Sequence, residues 1–354
     1  TGINSGQIGG RRNIIYNGEM KVAQRSTSET GLGAASGYFT TDRWGIAVGA
    51  ASAGRFTMAQ IADGPAGFAN CTKLSCTTAD TSIAAGEGLR FLQKFEGQDL
   101  QQIKKGTASA EQLTISFWVK GNASATYVVE LYDYDNTRQI SKSFAVTTSW
   151  AKITLPIPAD TTGAFGDDNA ASLVLHLWLH AGATYTSGTL NDDAWAAAVS
   201  ADRAAGISSI FDATSRTFFI TGVQMEIGAT ASEFEHRTLG EELALCQRYY
   251  QKTYNLANAP ATNTNTGQLQ STASTTGNMN GVGLRVSMRA TPTFVIYSKT
   301  GTAAKVSNVS NADVGTTVTA ELPSENGMMA IVDSGTNFTA ATFYRFHYTA
   351  SAEL

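Results

Sequence analysis

The amino-acid sequence predicts an all-β protein built from two domains. Short apolar runs recur between turn residues along most of the chain, and several runs alternate apolar with polar positions, as half-buried strands do. The composition of 34 Gly, 6 Pro and 15% charged residues suits short strands joined by many turns. A length of 354 residues exceeds what one hydrophobic core usually serves, which favours two domains over one.

The first domain is predicted to be a β-sandwich over residues 13–238, preceded by a Gly-, Ser- and Asn-rich linker over residues 1–12. Its apolar runs follow one another at the spacing typical of sandwich strands. The predicted strands cover residues 14–16, 44–48, 55–61, 89–95, 113–119, 127–132, 140–146, 151–157, 172–180 and 218–227.

Alternation within two of these strands predicts which faces are buried. In residues 113–119 the odd-numbered positions are apolar and are assigned to the core. In residues 173–180 four leucines form one face, and the opposite face carries Val174, His176, Trp178 and His180. On a strand, His176 and His180 lie about 13 Å apart, which argues against a metal site shared by them. Because the face opposite the leucines carries aromatic and histidine side chains, it is predicted to be covered or used in binding.

Two helices are predicted among the strands. Residues 191–205 combine an acidic start with an Ala-rich body, and residues 239–254 carry acidic residues in their first turn. We interpret the second helix as a short connector between the domains. Leu243, Cys246 and Tyr250 lie on one side of it, and this side is predicted to pack between the two domains or between subunits.

The second domain, residues 255–354, is predicted to be a smaller β-domain. Its first part, up to residue 283, is rich in Thr, Ser, Gly and Asn and is predicted to be a long loop. Its predicted strands cover residues 284–288, 293–297, 314–322, 328–332 and 342–348.

Charge and hydropathy exclude two classes of partner. With 25 Lys+Arg against 29 Asp+Glu the net charge is −4, whereas duplex nucleic acid is held mostly by cations. No apolar run approaches the roughly 20 residues of a membrane helix, so no membrane insertion is expected. Because the chain begins at Thr1 without a Met, we expect it to be part of a longer protein. Cys71 and Cys76 would point to opposite faces of one strand, which disfavours a disulfide between them.

Several motifs, taken in their order along the chain, resemble one known family. They include the opening of the first domain, the strand at 113–120 and the closing strand, and the most specific are the connector and an Arg-Ala-Thr-Pro segment. The matching segments are 13–18, 22–25, 41–44, 113–120, 147–150, 223–228, 234–237, 241–250, 288–293 and 352–354. In this order they resemble bacteriophage tail-fibre and virion appendage proteins, of the marine or cyanophage type, with a jelly-roll carbohydrate-binding-like module.

The resemblance implies a jelly-roll fold for the first domain and a structural role in the virion. It implies a homotrimeric fibre or spike subunit that contacts other virion proteins and recognises a host-surface polysaccharide during adsorption. It implies no enzymatic reaction and no cofactor, with assembly in the bacterial cytoplasm and an extracellular location in the mature particle. Two alternatives stay open: a purely structural capsid- or neck-attached fibre without a ligand, and the glycan-binding module of a carbohydrate-active enzyme.

Candidate binding residues are aromatic side chains that could stack on a sugar, together with acids beside them. Tyr132 and Tyr134 share one strand face beside Asp133 and Asp135, and Trp178 and Trp195 are further candidates. Asp133 and Asp135 are also the candidates for a structural calcium site, because hard cations take carboxylate oxygens. The other tryptophans of the resembling motifs, Trp44, Trp118 and Trp150, are assigned to the scaffold.

Candidate interface residues lie on the predicted connector helix. They are Leu243, Cys246, Arg248, Tyr249 and Tyr250. An amphipathic connector of this kind is expected to pack against neighbouring domains or around a threefold axis.

Overall fold

The computed structural model describes residues 12–354, which fold into two compact units. The first unit comprises the chain up to Lys21, Thr27–Thr238 and Leu354, and the second comprises Val22–Ser26 and Leu239–Glu353. The predicted linker, residues 1–12, lies outside the described residues except for Arg12.

The first unit is a jelly-roll β-sandwich of two antiparallel sheets, so the predicted all-β fold class is confirmed. Its strands are β1 Ser28–Leu32, β2 Gly37–Tyr38, β3 Gly45–Val48, β4 Arg55–Ile61, β5 Cys71–Thr78, β6 Gly88–Glu96, β7 Leu113–Gly121, β8 Ala125–Asp133, β9 Arg138–Val146, β10 Ala151–Ile157, β11 Ala171–Ala181, β12 Ala196–Ala197 and β13 Thr217–Ile227. The six-stranded sheet has the order β1-β4-β5-β13-β7-β10, and the seven-stranded sheet has the order β12-β9-β8-β11-β6-β3-β2.

The hydrophobic core lies between these two sheets, and alternation predicted its inner faces correctly. The odd-numbered residues of Leu113–Val119 and the four leucines of β11 are buried in this core. Trp44 stacks on Phe91 there, with ring centroids 4.8 Å apart. The opposite face of β11 therefore points outward from the sandwich, as the sequence indicated.

Two predictions for the first unit are wrong. Residues 14–16 form no strand, since the backbone at this point is held by the Asn13 side chain, which accepts from the Ile15 amide at 3.0 Å. The predicted helix over 191–205 is an irregular segment with strand β12 and a 3₁₀ turn at Ser200–Asp202. There Ala196 and Ala197 pair with the edge strand β9, so sheet pairing outweighs the helix propensity of alanine.

The second unit is a smaller β-domain that begins with a helix. Helix α2, Leu239–Gln247, follows the four-residue helix α1, Ala183–Thr186, of the first unit. Its strands are β14 Tyr250–Lys252, β15 Leu269–Thr272, β16 Asn278–Gly283, β17 Thr293–Tyr297, β18 Val306–Ser307, β19 Asp313–Val314, β20 Val318–Ser324, β21 Gly327–Asp333 and β22 Phe343–Ser351. The long strand β22 pairs with β14, β15, β17 and β18, and β16-β21-β20 form a second sheet.

Three predictions for this unit need correction. The connector helix ends at Gln247 instead of continuing to 254, because Tyr250–Lys252 pairs with β22. The predicted loop before residue 283 contains strands β15 and β16, and residues 284–288 form no strand.

The structure also bears on the expectations for a disulfide and for membrane-spanning helices. Cys71, Cys76 and Cys246 are buried and carry free thiols, and burial raises the pKa of Cys71 to about 12. Among the described residues, no helix has the length and apolarity to cross a membrane.

Candidate functional site

The outer face of the seven-stranded sheet is divided into a covered half and an open half. Over β8 and β11 it is covered by the segment that follows β11, whose Ala204 packs with Val128 and Trp178 in a small apolar cluster. Tyr185, Leu190 and Ile207 of the same segment pack against that cluster. Over β6, β3 and β2 the face stays open as a cleft.

Glu130 organises the boundary between the two halves. Its carboxylate is fully buried and accepts from Trp178 Nε1 at 2.8 Å and from His176 Nδ1 at 2.9 Å. Arg203, from the covering segment, donates to both carboxylate oxygens at 2.6 and 2.9 Å. This network fastens the covering segment to the sheet, since a bidentate Arg–carboxylate pair fixes both distance and orientation.

The charges of this network balance locally. Burial alone would raise the pKa of Glu130, but hydrogen bonds and charge interactions with His176 and Arg203 lower it to about 2, so Glu130 is ionised. Burial lowers the pKa of His176 to about 4, although Glu130 raises it. Neutral His176 must then carry its proton on Nδ1, because an ionised carboxylate only accepts. Glu130 and Arg203 therefore cancel one another, and His176 adds no charge near pH 7.

The neutral state of His176 predicts a pH dependence of stability. In the unfolded chain the imidazole binds a proton below about pH 6.5, whereas in the folded chain it stays neutral down to about pH 4. The folded state therefore has its full stability above pH 6.5 and loses it as pH falls towards 4, by about 2–3 kcal/mol from this group. All five tryptophans lie in the first unit, so their fluorescence during urea unfolding reports on that unit.

A His176→Gln variant isolates this effect. Glutamine keeps a donor for Glu130 and does not titrate. The variant is therefore expected to lose less stability between pH 7 and pH 4.5 than the wild type does. His180, whose pKa is also lowered by burial, titrates in both proteins and cancels in the comparison. Parallel stability curves for the two proteins over this range would contradict the assignment.

The open half of the face forms a cleft of about 320 Å³. Tyr134 stands at its rim with 46% of its surface exposed, and its ring contacts Tyr132 edge-on at 5.1 Å between centroids. Tyr38 also lines the cleft, and its hydroxyl donates to the carbonyl of Leu354 at 3.2 Å. Lys94 donates to the same carbonyl at 2.8 Å. The cleft thus combines aromatic rings with hydrogen-bonding groups.

Arg90 forms part of the cleft wall and differs from the other arginines near it. Its guanidinium lies over the Trp178 ring, 4.8 Å from the centroid. Its Nε is buried without a hydrogen-bond partner, and within the described residues its guanidinium makes no ion pair. Burial, followed by repulsion from Arg203, lowers the pKa of Arg90 from that of a free guanidinium. Among the described residues, Arg90 is therefore a cation without an acidic side-chain partner.

The predicted aromatic candidates lie in different environments, and only some of them are accessible to a ligand. Tyr132 and Tyr134 meet beside the cleft, and Tyr134 is one of its lining residues. Trp178 is fully buried beneath the covering segment, so its face is unavailable to a sugar. Trp195 is half-buried elsewhere on the unit, where its Nε1 donates to the carbonyl of Pro158 at 3.0 Å.

The acidic candidates are engaged in internal contacts rather than gathered around a cation. Asp133 is fully buried and pairs with Lys105 Nζ at 2.6 Å, while Asp135 accepts from the Gly166 amide at 2.9 Å. Lys105 also lies 3.0 Å from Asp160 and donates to the carbonyls of Thr162 and Gly163. Its ammonium group thus lies between Asp133 and Asp160, so Asp133, one of the two candidate calcium ligands, is paired with Lys105. Across residues 12–354 no three His, Cys, Asp or Glu side chains are grouped as a metal site requires.

The predicted interface residues lie in the second unit. Cys246, Tyr249 and Tyr250 are buried by the chain itself, and Arg25 lies over the Tyr250 ring at 3.8 Å. Leu243 and Arg248 are half-buried. Because these three side chains are buried, they are unavailable to a second subunit, and of the three only Cys246 belongs to helix α2.

Sequence reasoning missed two features of the first unit. The role of Arg90 could not be predicted, because the sequence around a single basic residue in an apolar strand does not show whether an acid pairs with it. A second cleft, of about 280 Å³, lies on the outer face of the six-stranded sheet between Phe68, Trp118 and Phe234. Trp118, assigned to the scaffold, is half-buried there instead of lying in the core, as its alternation with Phe117 and Val119 indicated.

Comparison with known proteins returns carbohydrate-binding modules at low similarity. No family model matches the chain, and no curated protein matches it in sequence. A family 11 carbohydrate-binding module from Clostridium thermocellum, in complex with a β-1,3-1,4-mixed-linked tetrasaccharide, is 12% identical with a TM-score of 0.28, over 58% of this chain and 99% of that one. A xylan-binding domain from Paenibacillus barcinonensis is 12% identical with a TM-score of 0.29, over 63% and 100%. TM-scores this low carry no argument about ligands, so function is argued from the cleft.

Proposed function

We propose that the first unit binds saccharides in the cleft on the outer face of its seven-stranded sheet. The observation that carries the proposal is the exposed Tyr134 ring at the rim of a cleft that Arg90 and Tyr38 also line. Sugar recognition uses an aromatic face against the C–H surface and a few fixed polar groups around it. A volume of about 320 Å³ is at the small end of ligand pockets, which suits a short stretch of a longer polysaccharide.

We propose binding without catalysis at this cleft. Glycoside hydrolysis needs two carboxyl groups flanking the sugar, one of them free to protonate the leaving group. Glu130, which bonds the cleft-lining His176, is held by His176, Trp178 and Arg203 and stays ionised. An acid engaged in this way supports a structural role for Glu130.

We propose further that this binding serves a phage virion appendage that recognises a host-surface polysaccharide during adsorption. The support is the ordered set of motifs in the sequence, which resembles tail-fibre and appendage proteins. In that setting the chain would assemble as a homotrimer, in keeping with closed symmetric assembly. The mass of the purified chain in solution, measured by light scattering, tests this part of the proposal: a trimer supports it and a monomer overturns it.

Replacing Tyr134 by alanine is expected to weaken saccharide binding at least about tenfold, while Tyr134→Phe keeps most of it. The reason is that the ring face makes the contact, and an aromatic stacking contact is worth about 1–3 kcal/mol by alanine substitution, a value measured for bases and used here for sugars. Affinity electrophoresis against a panel of acidic and neutral polysaccharides measures the effect. Tyr134 is exposed, so both variants are expected to fold.

Ile83→Ala is the matched control for this experiment. Ile83 is 42% exposed and lies outside the residues that line the cleft. Its replacement also removes an exposed apolar side chain, and binding is expected to be unchanged. If no polysaccharide retards the wild-type chain, or if Tyr134→Ala is retarded as strongly as the wild type, the cleft is not the binding site.

A further inference from the structure

We propose that the cleft selects an acidic saccharide, whose carboxylate or sulfate group pairs with Arg90. This inference deepens the proposed function and rests on it. It depends on three features of the described residues: the charge balance around Arg90, the stacking and unused donors of its guanidinium, and the neighbouring cation on the same strand face.

Among the described side chains, the charge balance around the cleft leaves Arg90 without an acidic partner. Glu130 is the nearby acid, and Arg203 already pairs with both of its oxygens. His176 lines the cleft and is neutral near pH 7 because burial lowers its pKa. The phenol of Tyr134 is neutral at this pH as well, because burial raises its pKa. A half-buried guanidinium without a counter-ion is costly, and an anion entering the cleft would relieve that cost.

The guanidinium of Arg90 stacks on an aromatic ring and keeps its hydrogen-bond donors unused. Its guanidinium lies between the Trp178 ring, at 4.8 Å, and the open cleft, and its buried Nε has no partner. The terminal nitrogens make no hydrogen bond within residues 12–354. A planar fork with free donors suits the two oxygens of a carboxylate or a sulfate.

The same strand face presents a second cation. Lys94 lies four residues after Arg90 on β6, so both side chains point outward into the cleft. Lys94 donates to the carbonyl of Leu354, which positions its ammonium group at the wall. The chain as a whole is acidic, with a net charge of −4, so this concentration of positive charge is local. Tyr134 at the rim makes the site suited to a sugar rather than a bare anion.

The test compares the binding of three polymers to the wild type and to three variants. Binding to polygalacturonate, dextran sulfate and neutral dextran is measured for the wild type, Arg90→Gln, Arg90→Lys and Arg216→Gln. Arg216 pairs with Asp212, whose side chain is 41% exposed, outside the cleft, so its replacement removes the same formal charge from the unit. We expect the acidic polymers to bind in preference to dextran and Arg90→Gln to lose at least about tenfold in affinity.

The remaining variants separate local pairing from net charge. Arg90→Lys is expected to recover only part of the affinity, because an ammonium cannot form the bidentate pair, and Arg216→Gln is expected to bind as the wild type does. A preference for polygalacturonate assigns the acid group as a carboxylate, and a preference for dextran sulfate assigns it as a sulfate. Tryptophan fluorescence in urea confirms that each variant is folded.

Three results would overturn the inference, and they differ in what they imply for the proposed function. If a neutral saccharide binds with a dependence on Tyr134 but none on Arg90, the cleft is a saccharide site without acid selectivity. If Arg90→Gln and Arg216→Gln weaken the acidic polymers equally, the attraction is that of the whole surface. If no polymer of the wider panel binds at all, the proposed function fails together with the inference.

Discussion

Replacing Glu130 by glutamine is expected to lower the free energy of unfolding of the first unit by about 3–5 kcal/mol. Glutamine keeps the size of the side chain but leaves Arg203 without a counter-ion. Its amide nitrogen must also take the place of a carboxylate oxygen, where it faces N–H donors and cannot accept from them. Tryptophan fluorescence during urea unfolding measures the change in the first unit alone, because all five tryptophans lie there.

An exposed pair on the same unit provides the control. Asp63 pairs with Lys120 at 2.9 Å with 46% of its side chain exposed, and Asp63→Asn is expected to cost less than about 1 kcal/mol. The double variant Glu130→Gln with Arg203→Gln should recover part of the loss, because it removes the orphaned charge. A Glu130→Gln protein as stable as Asp63→Asn would show that the network does not fasten the covering segment.

Replacing Lys105 by methionine is the second change with a large expected effect, again a loss of about 3–5 kcal/mol. The Lys105 side chain is 2% exposed, and its ammonium lies 2.6 Å from Asp133 and 3.0 Å from Asp160. Methionine fills the same space but leaves the two buried carboxylates close together, with only Arg138 still paired to Asp160. Urea unfolding followed by tryptophan fluorescence measures the loss.

The adjacent residue in the chain is the matched control. Lys104 pairs with Glu111 at 2.6 Å, but 52% of its side chain is exposed, so Lys104→Met is expected to change stability by less than about 1 kcal/mol. Equal effects of the two substitutions would mean that the ammonium of Lys105 is not the cation that holds Asp133 and Asp160 together.

Strand positions and inner faces could be predicted because they depend on local periodicity. The runs at 55–61, 151–157 and 293–297 coincide with β4, β10 and β17, and the leucine face of β11 is the core face. Strand β5, Cys71–Thr78, was missed because it is polar at many positions and its pairing comes from β4 and β13. The period of apolar residues carries no signal for such a strand.

The candidate site was predictable only in part, because its partners are distant in sequence. The face of β11 with His176 and Trp178 was expected to be covered or used, and the structure shows one half covered and one half open. Glu130 meets Arg203 across 73 residues, a pairing that no local pattern encodes. The helix predicted over 191–205 also prevented the pairing from being predicted, since a helix would not have placed Arg203 beside Glu130.

Hydrogen–deuterium exchange of the chain, with and without the acidic polysaccharide that it binds, tests the central claim most directly. Binding in the cleft of the seven-stranded sheet predicts slower exchange in the segments at its rim, residues 33–37 and 134–137, and unchanged exchange on the opposite sheet. Slower exchange confined to residues 64–68 and 232–236, around Phe68 and Phe234, would place the ligand in the second cleft and contradict the account.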